Sequence, residues 1–291
     1  MNDMKSLNKL VLLLLCTVLG AGCEKHVVEY QATPISDETT AQFQLHYMVP
    51  VTTGATNNIN RVELNGQLLA NETAPLVTYN FIPSNAVGKF YSTAPGTVNL
   101  KLYRGASTDL SLAYDMDFDL PAGKYNVIVH DFNEPPIIIK NEVPYPKITT
   151  EFTGATAWVK FYNIMYETAG EPTGLRLQYQ YQYTVDNATG AKSEWLNVGE
   201  PLAFGEATGW EPITVNKTVE ISQGTARIDY RIRVIGEDGS DQGNLMRQNA
   251  AGNMVEYSDW WNAVIGRVYH HMFAGFRTAA PIVNVRTATA L

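Results

Sequence analysis

The sequence predicts an all-β protein built as two tandem Ig-like antiparallel β-sandwiches, and three observations lead there. Short segments of alternating apolar and polar residues recur along the chain with no helical period between them, and Gly, Asn, Asp and Pro punctuate them. The third observation is that the landmarks of residues 41–147 return in the same order in residues 148–291.

Taken in chain order, residues 1–22 read as a lipoprotein signal peptide. Lys5 and Lys9 precede an apolar run over residues 10–19, and small residues Gly20, Ala21 and Gly22 then lead to Cys23. Ten residues of helix span roughly 15 Å, about half of a ~30 Å hydrocarbon core, so the run suits a cleaved signal rather than a spanning helix. A Leu three residues before the Cys is usual in such signals; here Leu19 lies four before, and an ordinary secretory signal cut near Gly22 is the alternative. Acylation of Cys23 is the expected outcome, since two or three acyl chains hold a protein on a membrane durably where one holds only marginally. The expected localisation is the cell envelope, at the outer membrane.

Residues 23–40 are polar and without period, as in a tether. Beyond it the clearest strand covers residues 175–185. Leu175, Leu177, Tyr179, Tyr181, Tyr183 and Val185 share one face, and Arg176, Gln178, Gln180, Gln182 and Thr184 the other. Residues 186–190 supply turn chemistry, and residues 192–198 return antiparallel. Similar alternation appears at 98–102, 112–120, 125–129 and 226–234.

The repeat emerges from aligning these strands. Residues 41–48 correspond to 157–164, 96–102 to 224–230, and 123–127 to 266–270, with about 12 and 15 extra residues between landmarks in the second copy. Prolines 135, 136, 144 and 146 mark the join; residues 137–139 read as an edge or final strand and 143–148 as a stiff linker. The domain limits that follow are 1–22, 23–40, 41–147 and 148–291. Each sandwich carries a full set of strands and is expected to fold alone.

Residues 62–69, 91–103 and 120–127 of the first copy, with 202–210 and 266–269 of the second, resemble the uncharacterised tandem Ig-like domain common in cell-envelope lipoproteins of Bacteroides-type bacteria. The resemblance covers about residues 41–276 and is weakest in the second copy, at residues 178–183 and the long insertion 236–259. It implies the sandwich fold and an envelope location, and it transfers no catalytic residue.

Composition excludes some functions. Removing residues 1–22 takes away Lys5, Lys9 and Asp3 and leaves 19 basic and 28 acidic residues, a formal charge of −9, so nucleic acid is not an expected partner. Cys16 leaves with the signal; Cys23 is then the only cysteine, and no intrachain disulfide can form. His270 and His271 are neighbours and point to opposite faces of a strand, so they do not form a metal pair, while His46 and His130 read as structural histidines. Asp115, Asp117 and Asp119 share a face but lack the loop, glycine and distal Glu of a calcium site. No nucleophile elbow, phosphate loop or zinc helix appears. The expectation is therefore no catalytic residue, no metal and no cofactor.

The aromatic residues carry the binding expectation. Trp210, Trp260 and Trp261 lie near the insertions of the second copy, where a rigid sandwich presents its variable surface, and adjacent tryptophans on a strand face opposite ways. Tyr179, Tyr181 and Tyr183 are expected in the core. Residues 236–253, rich in Gly, Asp and Asn, read as a functional or disordered loop. The sequence thus points to a non-enzymatic envelope-anchored lipoprotein, a binding or structural module at the cell surface. Its partners are the membrane, through the lipid, and a surface glycan or another envelope protein. A glycan-binding lipoprotein of a polysaccharide-uptake system and a fimbrial or adhesin component are the alternatives.

Overall fold

The structure is a computed structural model that describes residues 36–83, 88–106, 108–142 and 155–290. The signal, Cys23, most of the tether and the linker over 143–148 lie outside the described residues. Among those described, no helix is long and apolar enough to cross a membrane.

The fold is an all-β sandwich fold. Residues up to 142 supply β1 (Ala41–Tyr47), β2 (Ile59–Leu64), β3 (Gln67–Ala70), β4 (Phe81–Ile82), β5 (Tyr91–Thr93), β6 (Gly96–Arg104), β7 (Ser111–Leu120), β8 (Gly123–Val129) and β9 (Ile137–Lys140). One sheet runs β3-β2-β6-β7; the other runs β4-β1-β8-β9, with β5 also on β1. Phe43, Leu45, Val127 and Val129 of the second sheet face Val62, Leu100, Leu102 and Tyr114 of the first and close a buried core. The alternation that defined these strands in the sequence is the alternation that fills this core.

Residues from 155 onward supply β10 (Thr156–Thr168), β11 (Glu171–Pro172), β12 (Arg176–Asp186), β13 (Ala191–Lys192), β14 (Leu196–Leu202), β15 (Glu211–Thr214), β16 (Thr225–Ile235), β17 (Asp241–Asn244), β18 (Met246–Gln248), β19 (Met254–Glu256), β20 (Ser258–Val264), β21 (Val268–Phe276) and β22 (Asn284–Thr289). One sheet runs β11-β10-β21-β22 with β15 on β10; the other runs β13-β12-β16-β17 with β14 on β12 and β20 on β16. Between them lies the larger core, with Val159, Phe161, Tyr179, Tyr230, Trp261 and Phe273 at its centre.

The strand order of the first half recurs in the second. β1 and β10 each pair with a later strand, β8 or β21, and that strand is flanked by β9 or β22. One feature departs from the antiparallel expectation. β1 runs parallel to β8, Ala41 opposite Gly123, and β10 runs parallel to β21, Trp158 opposite Val268. The partners are about a hundred residues apart in sequence, so no hairpin turn announces the pairing. β9 is an edge strand beside β8, as the prolines imply.

The region 236–259 is not an open loop. β17 adds to β16, and β18 pairs with β19 as a hairpin. Leu245 and Tyr257 are fully buried in the larger core. Tyr257 Oη bonds the Tyr230 hydroxyl at 2.9 Å and donates to Asn284 Oδ1 at 2.5 Å. These two apolar plugs give a polar segment a fixed place, a contribution its composition conceals.

A third apolar cluster joins the halves. Alternate residues of β1 and β8 that point away from the first core meet alternate residues of β10 and β21 that point away from the second. Met48, Ile128, Tyr162, Ile164, Met272 and Ala274 are all buried there, with Ile137, Ile139 and Phe204 packed against them. The four sheets are thus stacked as layers around three buried seams. The end of the tether is also held: Asp37 accepts from Gln42 Nε2 at 2.6 Å and pairs with Lys124 at 3.5 Å.

Candidate functional site

Two constellations of polar and aromatic side chains stand out, one buried in the seam between the halves and one on the outer face of the β14-β12-β16-β20 rows. The buried one is a chain of hydrogen bonds. Asn126 Oδ1 lies 3.3 Å from His46 Nε2, Asn126 Nδ2 donates to Tyr162 Oη at 2.8 Å, and Tyr162 Oη meets His270 Nδ1 at 2.8 Å. The rings of His46 and His270 stand edge to face at 5.8 Å, and Trp210 lies 5.0 Å from His270. Lys160, itself buried, donates to the Lys140 carbonyl at 2.9 Å.

Burial sets the protonation of this network. It lowers His46 to about 4 and holds His270 well below the ordinary value, with the neighbouring His46 and Lys160 adding to the shift. It raises the Tyr162 hydroxyl well above its usual range. The imidazoles are therefore neutral near pH 7, and the cluster works as structural glue between sheets. His130 behaves likewise, bonded to Tyr166 Oη at 2.7 Å with its pKa lowered by burial.

His271 points the other way, into the larger core, where it lies 3.2 Å from Tyr179 Oη and packs on Trp261. Burial lowers it to about 3. The opposite orientations expected of His270 and His271 are found. Among the described residues no three His, Cys, Asp or Glu side chains are grouped to hold a metal ion. Asp115, Asp117 and Asp119 instead form a solvated ladder, accepting from Asn99, Asn99 and Thr97 in turn.

The exposed constellation is read off the strand registers. Arg227, Asp229, Arg231 and Arg233 occupy alternate positions of β16, while Ile228, Tyr230 and Ile232 between them are buried. Gln180 of β12 stands opposite Arg231, and Asn197 of β14 opposite Gln180. Arg231 Nε donates to Gln180 Oε1 at 2.9 Å and Gln180 Nε2 to Asn197 Oδ1 at 2.8 Å. One row further along, Asp229 receives Lys192 at 2.6 Å and Arg227 at 2.7 Å. Partial burial alone would raise the Asp229 pKa, but these two donors more than offset it and hold the carboxyl below the usual range.

A tryptophan stands at each border of this face. The Arg231 guanidinium lies 4.3 Å from the Trp195 ring centroid and that of Arg227 lies 4.7 Å from the Trp260 ring. Trp260 is 49% exposed, the most exposed large aromatic described. Asp229 pairs with both Gln182 and Trp260, and Trp195, one residue before β14, continues the same row. Three interstrand steps of ~4.8 Å thus separate the two borders, roughly 14 Å.

The three tryptophans singled out in the sequence do not share a surface. Trp260 is on the outer face, Trp261 is 9% exposed inside the core against Tyr269 and His271, and Trp210 packs with Val268 and His270 on the far side of the second half. Trp195, which complements Trp260, escaped the sequence reading. Its signal was the alternation itself: counting back from Leu196, opposite Tyr181, places Trp195 on the polar side of the sheet. Tyr179 and Tyr181 are buried and Tyr183 is packed against the same core, as expected.

No protein-family model matches the chain, and no curated protein is similar to it.

Proposed function

We propose that this protein is a non-enzymatic, lipid-anchored component of the cell envelope, a tandem Ig-like module that binds or supports another surface component. The observation that carries the proposal is the export run over residues 10–19 ending in Gly20, Ala21, Gly22 and Cys23, followed by a short polar tether and a sandwich that begins at Ala41. A lipidated Cys23 would hold the sandwich within a few nanometres of a membrane, since 18 residues of coil span about 25 Å. The recurring strand order is in keeping with the resemblance to tandem Ig-like domains of envelope lipoproteins. Buried neutral histidines that tie sheets together suit a durable scaffold outside the cell, where no disulfide is available to this chain.

Mass spectrometry of the membrane fraction from the native host tests the anchor. The expected N-terminal peptide begins at Cys23 with Glu24 and Lys25 and carries diacylglycerol. Cys23→Ser should move the protein to the soluble fraction. An unmodified Cys23, or an uncleaved signal, overturns the proposal. A second reading, a glycan-binding lipoprotein of a polysaccharide-uptake system, is favoured by the outward face bordered by Trp195 and Trp260.

A further inference from the structure

The geometry points to a binding site for a carboxylate-bearing glycan on the outer face of β12, β14, β16 and β20, with Trp195 and Trp260 as its borders. The inference rests on the reading of the chain as an anchored binding module and names the ligand class of that module.

Three observations favour a sugar chain over a protein surface. First, the row next to the Trp195–Gln182–Asp229–Trp260 row is made of planar amides and a guanidinium, Asn197, Gln180 and Arg231, joined by hydrogen bonds. The core of a protein–protein patch is instead apolar and depleted of charge. Amides and guanidinium groups offer donors and acceptors in one plane, the pattern that hydroxyl-rich rings require. Second, the two indoles lie at opposite ends of one cross-strand row, so a linear chain laid across the strands meets both. Indole supplies a broad apolar surface for the C–H face of a pyranose, with an N–H at its edge. The guanidinium groups stacked on Trp195 and Trp260 fix the ring planes before a ligand arrives, which reduces the ordering cost of binding.

Third, the charge of this face opposes that of the chain. Lys192, Arg227, Arg231 and Arg233 outnumber the carboxylates beside them, Asp229, Asp241 and Glu256, on a protein whose formal charge is −8. Asp229 takes Lys192 and Arg227, and Asp241 takes Arg233. Arg231 has an amide and an indole as its neighbours, and no carboxylate lies within ion-pair distance of it among the described residues. Its terminal nitrogens match the two oxygens of a carboxylate, the arrangement guanidinium recognises best. A uronic acid placed there would complete the ion pair that the sheet leaves open.

The test is affinity electrophoresis of the full-length chain in detergent through gels containing polygalacturonate, alginate or chondroitin, with fully methyl-esterified polygalacturonate as the uncharged counterpart. Retardation by at least one acidic polymer is expected, with about tenfold weaker retardation by the ester. Trp260→Ala and Arg231→Gln should each weaken it by about tenfold with an unchanged thermal midpoint; Trp260 is exposed enough for its loss to spare the fold. Equal retardation by the acid and its methyl ester overturns the role of Arg231. No retardation by any of the polymers, or binding that survives both substitutions, overturns the glycan site. The anchored-module reading fails separately, on an unmodified Cys23.

Discussion

Acid should loosen this protein well before its carboxylates begin to take up protons, because its buried histidines must stay neutral to remain where they are. His46 has an ordinary value of 6.5 and a folded value of about 4. A group whose folded pKa is lowered in this way binds its proton first in the unfolded chain. Its penalty is absent above about pH 7, appears as pH falls through 6.5, and is complete below 4. At about pH 5 the unfolded histidine is almost wholly protonated and the folded one about one-tenth so, which removes roughly 2 kcal/mol of stability for His46. His271, lowered from 6.5 to about 3, contributes about as much again. Together that is about 4 kcal/mol, a large part of the 5–15 kcal/mol of a typical domain. The directions for His130 and His270 are the same. Among the described residues no carboxylate is bonded to His46, which faces Asn126, Phe81 and His270. The measurement is the thermal midpoint between about pH 7.5 and pH 5 at fixed ionic strength. A fall of about 10 °C is expected at the 2–4 °C per kcal/mol usual for chains of this size. His46→Gln keeps an amide able to bond Asn126 and removes one titration, so its slope with pH should be shallower by about half of the two-histidine effect. A midpoint flat across this range, or the same slope in His46→Gln as in the parent, would refute the argument.

Two further outcomes follow from the packing. Trp261→Ala opens a cavity between Tyr269 and His271 and should cost about 3–5 kcal/mol by urea denaturation, whereas Trp260→Ala on the outer face should cost less than about 1 kcal/mol. Equal costs would contradict the opposite orientations. Produced separately, residues 36–142 and 155–290 should each give β-rich circular dichroism, but each would expose its share of the seam around Met48, Ile128, Ile164 and Met272. Each large apolar side chain uncovered there costs ~1.5–3 kcal/mol, so the pieces should self-associate alone and pair when mixed; monomeric, non-interacting pieces by sedimentation would count against the seam as described.

Much of this was legible in the sequence for a simple reason: a face buried against one partner writes a period of two. Leu175 to Val185 and the β16 run show it, and so does the opposite placement of His270 and His271. The seam was hidden because burial on both sides erases that period. β1 and β21 are buried almost continuously, and the polar members Gln44, His46 and His270 give no hint that another sheet covers them. The order of the insertion was hidden for a different cause. Of its residues Leu245 and Tyr257 enter the larger core, and two apolar residues in a polar stretch look like noise. Trp195 was missed because a site made across four strands has no spacing along any one of them.

The parallel pairing has a kinetic meaning for a chain exported unfolded, the route proposed above. β1 finds its partner 82 residues later, and β10 waits 110 residues for β21. Contacts so distant are slow to form, since most of each half must be present before its central ladder can begin. In N-terminus-first export the first half would close once β8 and β9 had crossed, but the side of its sheet that carries Met48 and Ile128 would stay wet until β21, nearly the last strand, arrived. Such export would present an interval with an uncovered apolar sheet, the state in which the chain would most need a chaperone.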